Sequence, residues 1–432
     1  MNDPGSTISR PTRETRRGAF RSLRVRNYRL YFFGQLSSLC GTSMQTVGLA
    51  WLVLELTDSG SQVGLVTALQ FIPILLLGGS AGVIIDRRDR RRVVLVAEIV
   101  LSAQATSLAV LAIAHVVRMW MLYALALLQG ISTAFEQPAR QTLLSDLVGD
   151  GDLPNALSLN AVLFSVSKVL GPATAAVVIG SWGVAACFTI NAVSFVAIIV
   201  AVVAIRPSEF HYRPLTTRSR GQLREGLRAV ARSPLLLPVF LSAGVLACSA
   251  TVLNVVLPVL ARTKFAGGAG LFGAMSAMTA LGAFIIALVL SVAPPATNRR
   301  IAGLATGLGV SLVGCAVAPN VALELVLLVV AGGCQIGVLV SSNTASQLRS
   351  SPSVRGRVVA LYFSLTAGAQ GIGAIVMGSI TDHFGARSAF WVGGAGALST
   401  AACWAVWLRL RPQTKARSDV VMALETAPVK PS

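Results

Sequence analysis

The chain has 432 residues, 54% of them hydrophobic and only 12% charged, with a formal net charge of +19. A soluble domain carries about 25% charged residues, so this composition excludes one and indicates a protein that crosses a bilayer many times. The positive charge would suit nucleic acid, but its placement along the chain argues against that partner.

In chain order, residues 1–27 form a polar, Arg-rich stretch with no short apolar segment and cleavage site, so a basic cytoplasmic tail without a cleaved signal is expected. Twelve apolar stretches follow, at about 28–57, 61–85, 93–114, 118–138, 155–181, 184–205, 234–261, 268–291, 301–318, 320–343, 358–381 and 388–409, each close to the ~20 residues a spanning helix needs. Residues 28–205 thus hold six spans and 234–409 another six. Between them, 206–233 is a basic cytoplasmic linker with a predicted amphipathic helix from Gln222 to Arg232, suited to lie on a membrane surface. Residues 410–432 carry Pro412, Pro428 and Pro431 and no periodic apolar face, so a disordered cytoplasmic tail is expected. The expected fold is all-α and integral to the membrane, with twelve helices in two pseudo-symmetric six-helix halves around a midplane site.

Charge fixes the expected orientation. Of the 36 Lys and Arg residues, 31 fall in segments this topology places on the cytoplasmic side, Arg118, Arg262, Lys264 and Arg387 fall on the other, and Lys168 lies within the fifth stretch. That is the positive-inside pattern, with attraction to anionic lipid headgroups as a further effect. The densest cluster is Asp86-Arg87-Arg88-Asp89-Arg90-Arg91-Arg92, between the second and third stretches. Such a turn must lie at a water interface. The six cysteines, Cys40, Cys187, Cys248, Cys315, Cys334 and Cys403, all fall in apolar stretches without metal-ligand spacing and read as small core residues. Small residues recur within the spans, as at Gly332-Gly333, and permit close approach of helix backbones.

Few ionisable groups lie within the stretches. Lys168, about 20 Å along the fifth helix, could bind an anionic substrate, pair with a carboxylate or snorkel. Glu98 lies one to two turns above Arg91 and Arg92, and a salt bridge to them is favoured over proton carriage. Glu136 near Arg140 reads as a pair at a helix end, and Glu55 and Glu324 as groups near the outer face where hydration is easy. Scattered hydrogen-bonding groups are Gln45 and Thr46 in the first stretch, Gln129 and Ser132 in the fourth, Asn254 in the seventh, and Gln335 and Asn343 in the tenth. Each could line a cavity for amphipathic molecules or join helices to one another. No phosphate-cradling G-x-x-x-x-G-K-[ST] occurs and no histidines stand at ligand spacing, so no ATP engine within the chain and no cofactor are expected.

The turn after the second stretch resembles the major facilitator signature G-x-x-x-D-[RK]-x-G-[RK]-[RK]. Gly82, Asp86, Arg87, Arg90 and Arg91 match, and Asp89 stands where the family has Gly. The resemblance implies a conformational latch, with Asp86 approaching the start of the eleventh helix beyond Arg355-Gly356-Arg357. Asp89 puts the tight turn in question, because Gly tolerates backbone angles that Asp adopts at some cost. Gly171-Pro172 in the fifth stretch resembles the exporter motif G-x-x-x-G-P-x-x-G-G, with Ser167, Ala175 and Ala176 in place of glycines. Ala126 departs from the Arg that many proton-drug antiporters carry on the fourth helix. The segments 134–141 and 152–160 resemble the type-3 branch of proton-drug antiporters, the transmembrane secretion effectors, over about residues 20–410. This family includes enterobactin exporters and macrolide efflux proteins. The resemblance implies an exporter of small molecules in the bacterial cytoplasmic membrane, driven by protons; a monomer that is not an enzyme is expected. An importer or lipid flippase of the same fold, or a membrane scaffold or sensor, are the alternatives.

Overall fold

The computed structural model describes residues 20–86, 88–149, 151–211, 227–228, 230–294, 296–350 and 355–410, with the side chains at 79, 80, 82, 83, 86 and 355 outside that description. Among the described residues there are twelve long helices. The first six are α1 (Arg26–Thr57), α2 (Gly60–Asp86), α3 (Arg90–Ile113), α4 (Met119–Leu147), α5 (Leu153–Trp182) and α6 (Val184–Ala204). The second six are α7 (Leu237–Thr263), α8 (Ala269–Ser291), α9 (Asn298–Val317), α10 (Val321–Leu348), α11 (Arg355–Phe384) and α12 (Ala386–Leu410). Eleven are long and apolar enough to cross a membrane. The remaining one, α4, has the length but carries Glu136, Arg140 and Asp146.

The twelve expected helices are present, and one boundary differs substantially. The fourth span was expected to end at Pro138 and to give way to a loop, yet α4 continues to Leu147. Ala139, Leu143, Leu144 and Leu147 place a buried apolar face on this extension, which outweighs the proline and charges that suggested a loop. Consequently Arg140, counted among the loop charges, is a buried helical residue. Helix α7 also breaks, at Thr251, into Leu237–Ala250 and Val252–Thr263. Of the expected linker helix only residues 227–228 and 230–232 are described. They are helical, and Val230 is buried in a cluster with Phe240 and Tyr362. The expected tails at 1–19 and 411–432 lie outside the described residues. Cys403 is exposed rather than in the core.

The two sets of six pack alike. Helix α1 lies on α6, α2 on α4, and α3 on α6; α7 lies on α12, α8 on α10, and α9 on α12. The sets meet chiefly through α2 against α11 and α5 against α8. Glycines set these approaches: a Cβ at Gly64 would lie 2.2 Å from the Ala374 carbonyl oxygen, and one at Gly273 would lie 2.5 Å from the Ala176 Cβ. Large apolar side chains such as Leu76, Val177 and Val193 point outward, as lipid-facing positions do.

Candidate functional site

The bundle has one end formed by the α2–α3 and α4–α5 turns, rich in Arg, and an opposite end formed by the α1–α2, α7–α8 and α11–α12 turns. At the Arg-rich end, Asp89 is the N-cap of α3. Its φ of −61° and ψ of 113° lie in ordinary extended space, and its carboxylate accepts hydrogen bonds from the Arg91 and Arg92 backbone N–H groups at 2.9 and 3.4 Å. The substitution of the family glycine therefore produces a capped helix and no strained turn. Arg90 pairs with Asp146 at the end of α4, at 2.6 Å. Arg91 donates to the Val202 and Val203 carbonyl oxygens at 2.9 and 2.8 Å, capping the C-terminus of α6. Arg26 and Asn27 of α1 donate to the next carbonyls, of Ala204 and Arg206. Both latch arginines in view thus tie the first six helices to one another. Helix α2 ends at Asp86; the side chains of Gly82, Asp86 and Arg87 lie outside the described residues.

The opposite end shows a contact between the two halves that no motif announces. The carboxylate of Asp382, near the end of α11, accepts from Ser59 Oγ at 2.6 Å and from the backbone N–H groups of Gly60 and Ser61 at 2.6 and 3.0 Å. These are the first donors of α2, so a negative charge sits on a positive helix end. Beside it Arg262, in the last turn of α7, pairs with Asp58 at 2.9 Å and donates to the Leu54 carbonyl oxygen at 3.1 Å. That places a cation on the C-terminal end of α1. Anion and cation from the second half together grip the α1–α2 turn. Asp58 there holds a left-handed backbone, φ 51°, which Asp tolerates better than most residues.

Helix α5 changes from buried to exposed along one face. Leu157, Ala161, Phe164, Lys168, Pro172, Ala175 and Ile179 form one stripe at three- and four-residue spacing. Pro172, Ala175 and Ile179 are buried, next to Ala176, which packs on Gly273 of α8; Leu157, Ala161, Phe164 and Lys168, toward the Arg-rich end, are exposed. Lys168 stands where the exposed part of the stripe begins, its ammonium 5.6 Å from the Phe164 ring centroid, and no carboxylate pairs with it among the described residues. The exporter-motif residues lie on the buried part: Gly171 faces α1 so closely that a Cβ would come within 2.4 Å of the Ser43 Cβ.

The polar residues separate into two groups. Thr46 is exposed although its neighbours from Ser43 to Leu49 are buried, and Asn254 is exposed although its neighbours from Val252 to Ala261 are buried. These midpoints of α1 and α7 face open space. Gln129 and Gln335 are half-buried, with Gln129 accepting from Gln70 at 3.2 Å. Gln45 belongs elsewhere. It is 2% exposed, donates to Gln104 at 3.1 Å and accepts from Asn191 at 2.7 Å, joining α1, α3 and α6. The alternation along α1 that exposes Thr46 turns Gln45 inward.

The carboxylates also depart from expectation. Glu98 makes no pair with Arg91 or Arg92, because Arg91 caps α6 and Arg92 pairs with Asp89. It faces Glu136 and Arg140 instead, within a buried cluster that includes Tyr31. Glu136 and Arg140, 3.3 Å apart, lie inside α4 and not at its end. Glu324 is fully buried rather than hydrated, while Glu55 is exposed. Near Glu324, Lys264 and Arg387 both donate to the Ala318 carbonyl oxygen. Burial, reinforced by Arg387, pulls the Lys264 ammonium below its ordinary range.

Twelve helices in two like sets, meeting at α2–α11 and α5–α8, are the fold of major facilitator transporters. A bacterial homologue of the lysosomal transporter Spinster, solved inward-facing and unoccupied, matches with a TM-score of 0.70 at 14% identity, over 88% of this chain and 95% of that one. A POT family transporter solved with a thioalcohol-conjugated peptide matches with a TM-score of 0.74 at 12% identity, over 88% and 96%. The family model for transmembrane secretion effectors matches residues 17–430, and the chain belongs to that family. Among its relatives, macrolide efflux protein A of Streptococcus pyogenes is 24% identical over 85% of this chain and 93% of its own length. The multidrug efflux pump Tap of Mycolicibacterium fortuitum is 26% identical over 84% and 90%. The staphyloferrin A transporter of Staphylococcus aureus is 27% identical over 60% and 66%.

Proposed function

We propose that this transporter exports amphipathic small molecules across the bacterial cytoplasmic membrane by alternating access, in exchange for protons. The observation that carries the reading is the contrast between the two ends: Asp382 and Arg262 lock the halves together at one, while the α5 stripe passes from buried to exposed toward the other, which we read as an opening. The Arg excess supports taking that end as the cytoplasmic one. The described state is then the one that admits cargo from inside. Thr46, Gln129, Asn254 and Gln335 supply sparse hydrogen bonds in an apolar surround, which suits amphipathic cargo better than sugars or ions. Lys168 at the mouth of the opening favours cargo with an anionic or aromatic group. The macrolide, multidrug and siderophore transporters among the relatives support export.

Helices α2 and α11 run antiparallel, which gives the alternation a simple geometry. Asp382 at the end of α11 grips the start of α2; by resemblance to the family signature, Asp86 at the end of α2 grips the start of α11 in the opposite state. The 27 residues of α2 separate these contacts by ~40 Å, so rocking that forms one separates the other. The test is accumulation of ethidium and of labelled erythromycin, a macrolide, in an efflux-deficient bacterial host. Expression should lower accumulation of at least one probe, and a protonophore should restore it. Equal accumulation of both probes with and without the protein would overturn the reading.

A further inference from the structure

Tyr31 of α1, Glu98 of α3, and Glu136 and Arg140 of α4 meet inside the first six helices. Glu98 stands eight residues into α3, ~12 Å from the Arg-rich end. None of the four is more than 9% exposed. Arg140 Nε lies 3.3 Å from Glu136 Oε1, close enough for an ion pair but not aligned as a hydrogen bond. Tyr31 Oη and Glu98 Oε2 also lack hydrogen-bond partners among the described residues. The surround is apolar, with Val94, Leu101, Ala105, Ala139 and Leu143 packed about it. Helix α1 presents Tyr31 to Glu98, with Tyr28 beside Tyr31 and donating to the Ala156 carbonyl oxygen at 3.0 Å, and α4 presents Glu136 and Arg140. Helix α2 has no ionisable residue between Gly60 and Ile85, and on α6 the only one is Cys187, near the far end of that helix.

One guanidinium thus faces two buried carboxylates. With both ionised, one negative charge would remain uncompensated in an apolar interior, at a cost of several kcal/mol. A proton on one carboxyl removes that cost. The ion pair decides which one: Glu136 is the carboxylate held against Arg140, and Glu98 is left over. We propose that Glu98 is the carboxyl that takes up and returns the proton exchanged for cargo, with Tyr31 and Arg140 as positioning residues. The proposal rests on the proton-coupled reading above and assigns its site. The step is the making and breaking of one O–H bond, with the proton drawn from one aqueous face and delivered to the other. Coupling to cargo has a short route, because Gln129 and Glu136 lie two turns apart on α4 and Thr46 shares α1 with Tyr31.

The test reconstitutes the purified full chain in proteoliposomes with radiolabelled erythromycin as probe. Two measurements are made: counterflow, which exchanges cargo without net proton movement, and accumulation driven by a pH gradient. The wild type should show both. Glu98→Gln should keep counterflow within about twofold and lose at least tenfold of driven accumulation, and Glu98→Asp should shift the pH profile of driven transport. Driven accumulation that persists in Glu98→Gln would overturn the assignment while leaving proton coupling intact. Counterflow without any response to the gradient in the wild type would overturn both. Infrared difference spectra after a pH step need no cargo and decide the matter if erythromycin is not carried or Glu98→Gln is inactive. A protonated-carboxyl band component should be present in the wild type and in Glu324→Gln and absent from Glu98→Gln, and its persistence in Glu98→Gln would refute the proposal.

Discussion

Replacing Asp382 by Asn removes one charge and almost no volume, and so isolates the electrostatic part of the clamp. The carboxylate now accepts three hydrogen bonds, at 2.6, 2.6 and 3.0 Å, from Ser59 and the first turn of α2. Hydrogen bonds to a charged group contribute about 1.5–3 kcal/mol each when well buried, and an anion at a helix N-terminus about 0.3–1 kcal/mol. Asp382 is exposed, so solvent screening reduces these figures. Asn retains one oxygen acceptor but turns an amide group toward backbone donors. A net loss of about 1–2 kcal/mol is expected, which is roughly a 5- to 30-fold shift away from the state closed at this end. Spin labels at Leu56→Cys and Phe384→Cys, both exposed and on opposite halves, would report the change in a background without native cysteines. The short-distance population should fall and a longer one should grow in Asp382→Asn. Distance distributions identical to those of the parent would refute the clamp.

Arg262→Ala should open the same end, and combined with Asp382→Asn the effect should fall short of the sum, because both residues hold one turn; additive shifts in the spin-label distances would count against a shared contact. Asp89→Ala should destabilise the purified protein by about 1 kcal/mol and Asp89→Gly by only a few tenths, read by thermal unfolding; a costlier Gly variant would show that the cap is not what Asp89 supplies. Gly64→Ala should abolish closure and transport, since the added Cβ falls 2.2 Å from backbone oxygen, and undiminished transport would mean that α2 and α11 do not approach so closely. Lys168→Ala should change which of several anionic and neutral dyes are expelled, and an unaltered profile would exclude contact with cargo.

The helices were legible because their signal is simple: some twenty apolar residues in succession, with arginines at one set of turns. Where that signal weakened, the structure diverged. Residues 139–147 carry charges that a loop would solvate, yet Arg140 and Asp146 find ion-pair partners inside the bundle, and the buried leucines decide the conformation. Side-chain direction was the other blind spot. Gln45 and Thr46 are adjacent and equally polar, but one joins three helices while the other faces open space. Pairings across long sequence separations could not be read at all. Arg91 had an adjacent glutamate one turn or two away and bound carbonyls 111 and 112 residues distant instead. Asp382 carries no motif, and its partners lie more than 320 residues earlier. What identifies it is position alone: the last turn of a helix that runs antiparallel to one ending in Asp86. If each helix of the α2–α11 pair brings an aspartate to the first turn of the other, the two gates use the same chemistry at opposite ends. Neutralising Asp86 and neutralising Asp382 should then shift the conformational balance in opposite directions, a sign difference that neither a general loss of stability nor a purely topogenic role for the Arg-rich turn would produce.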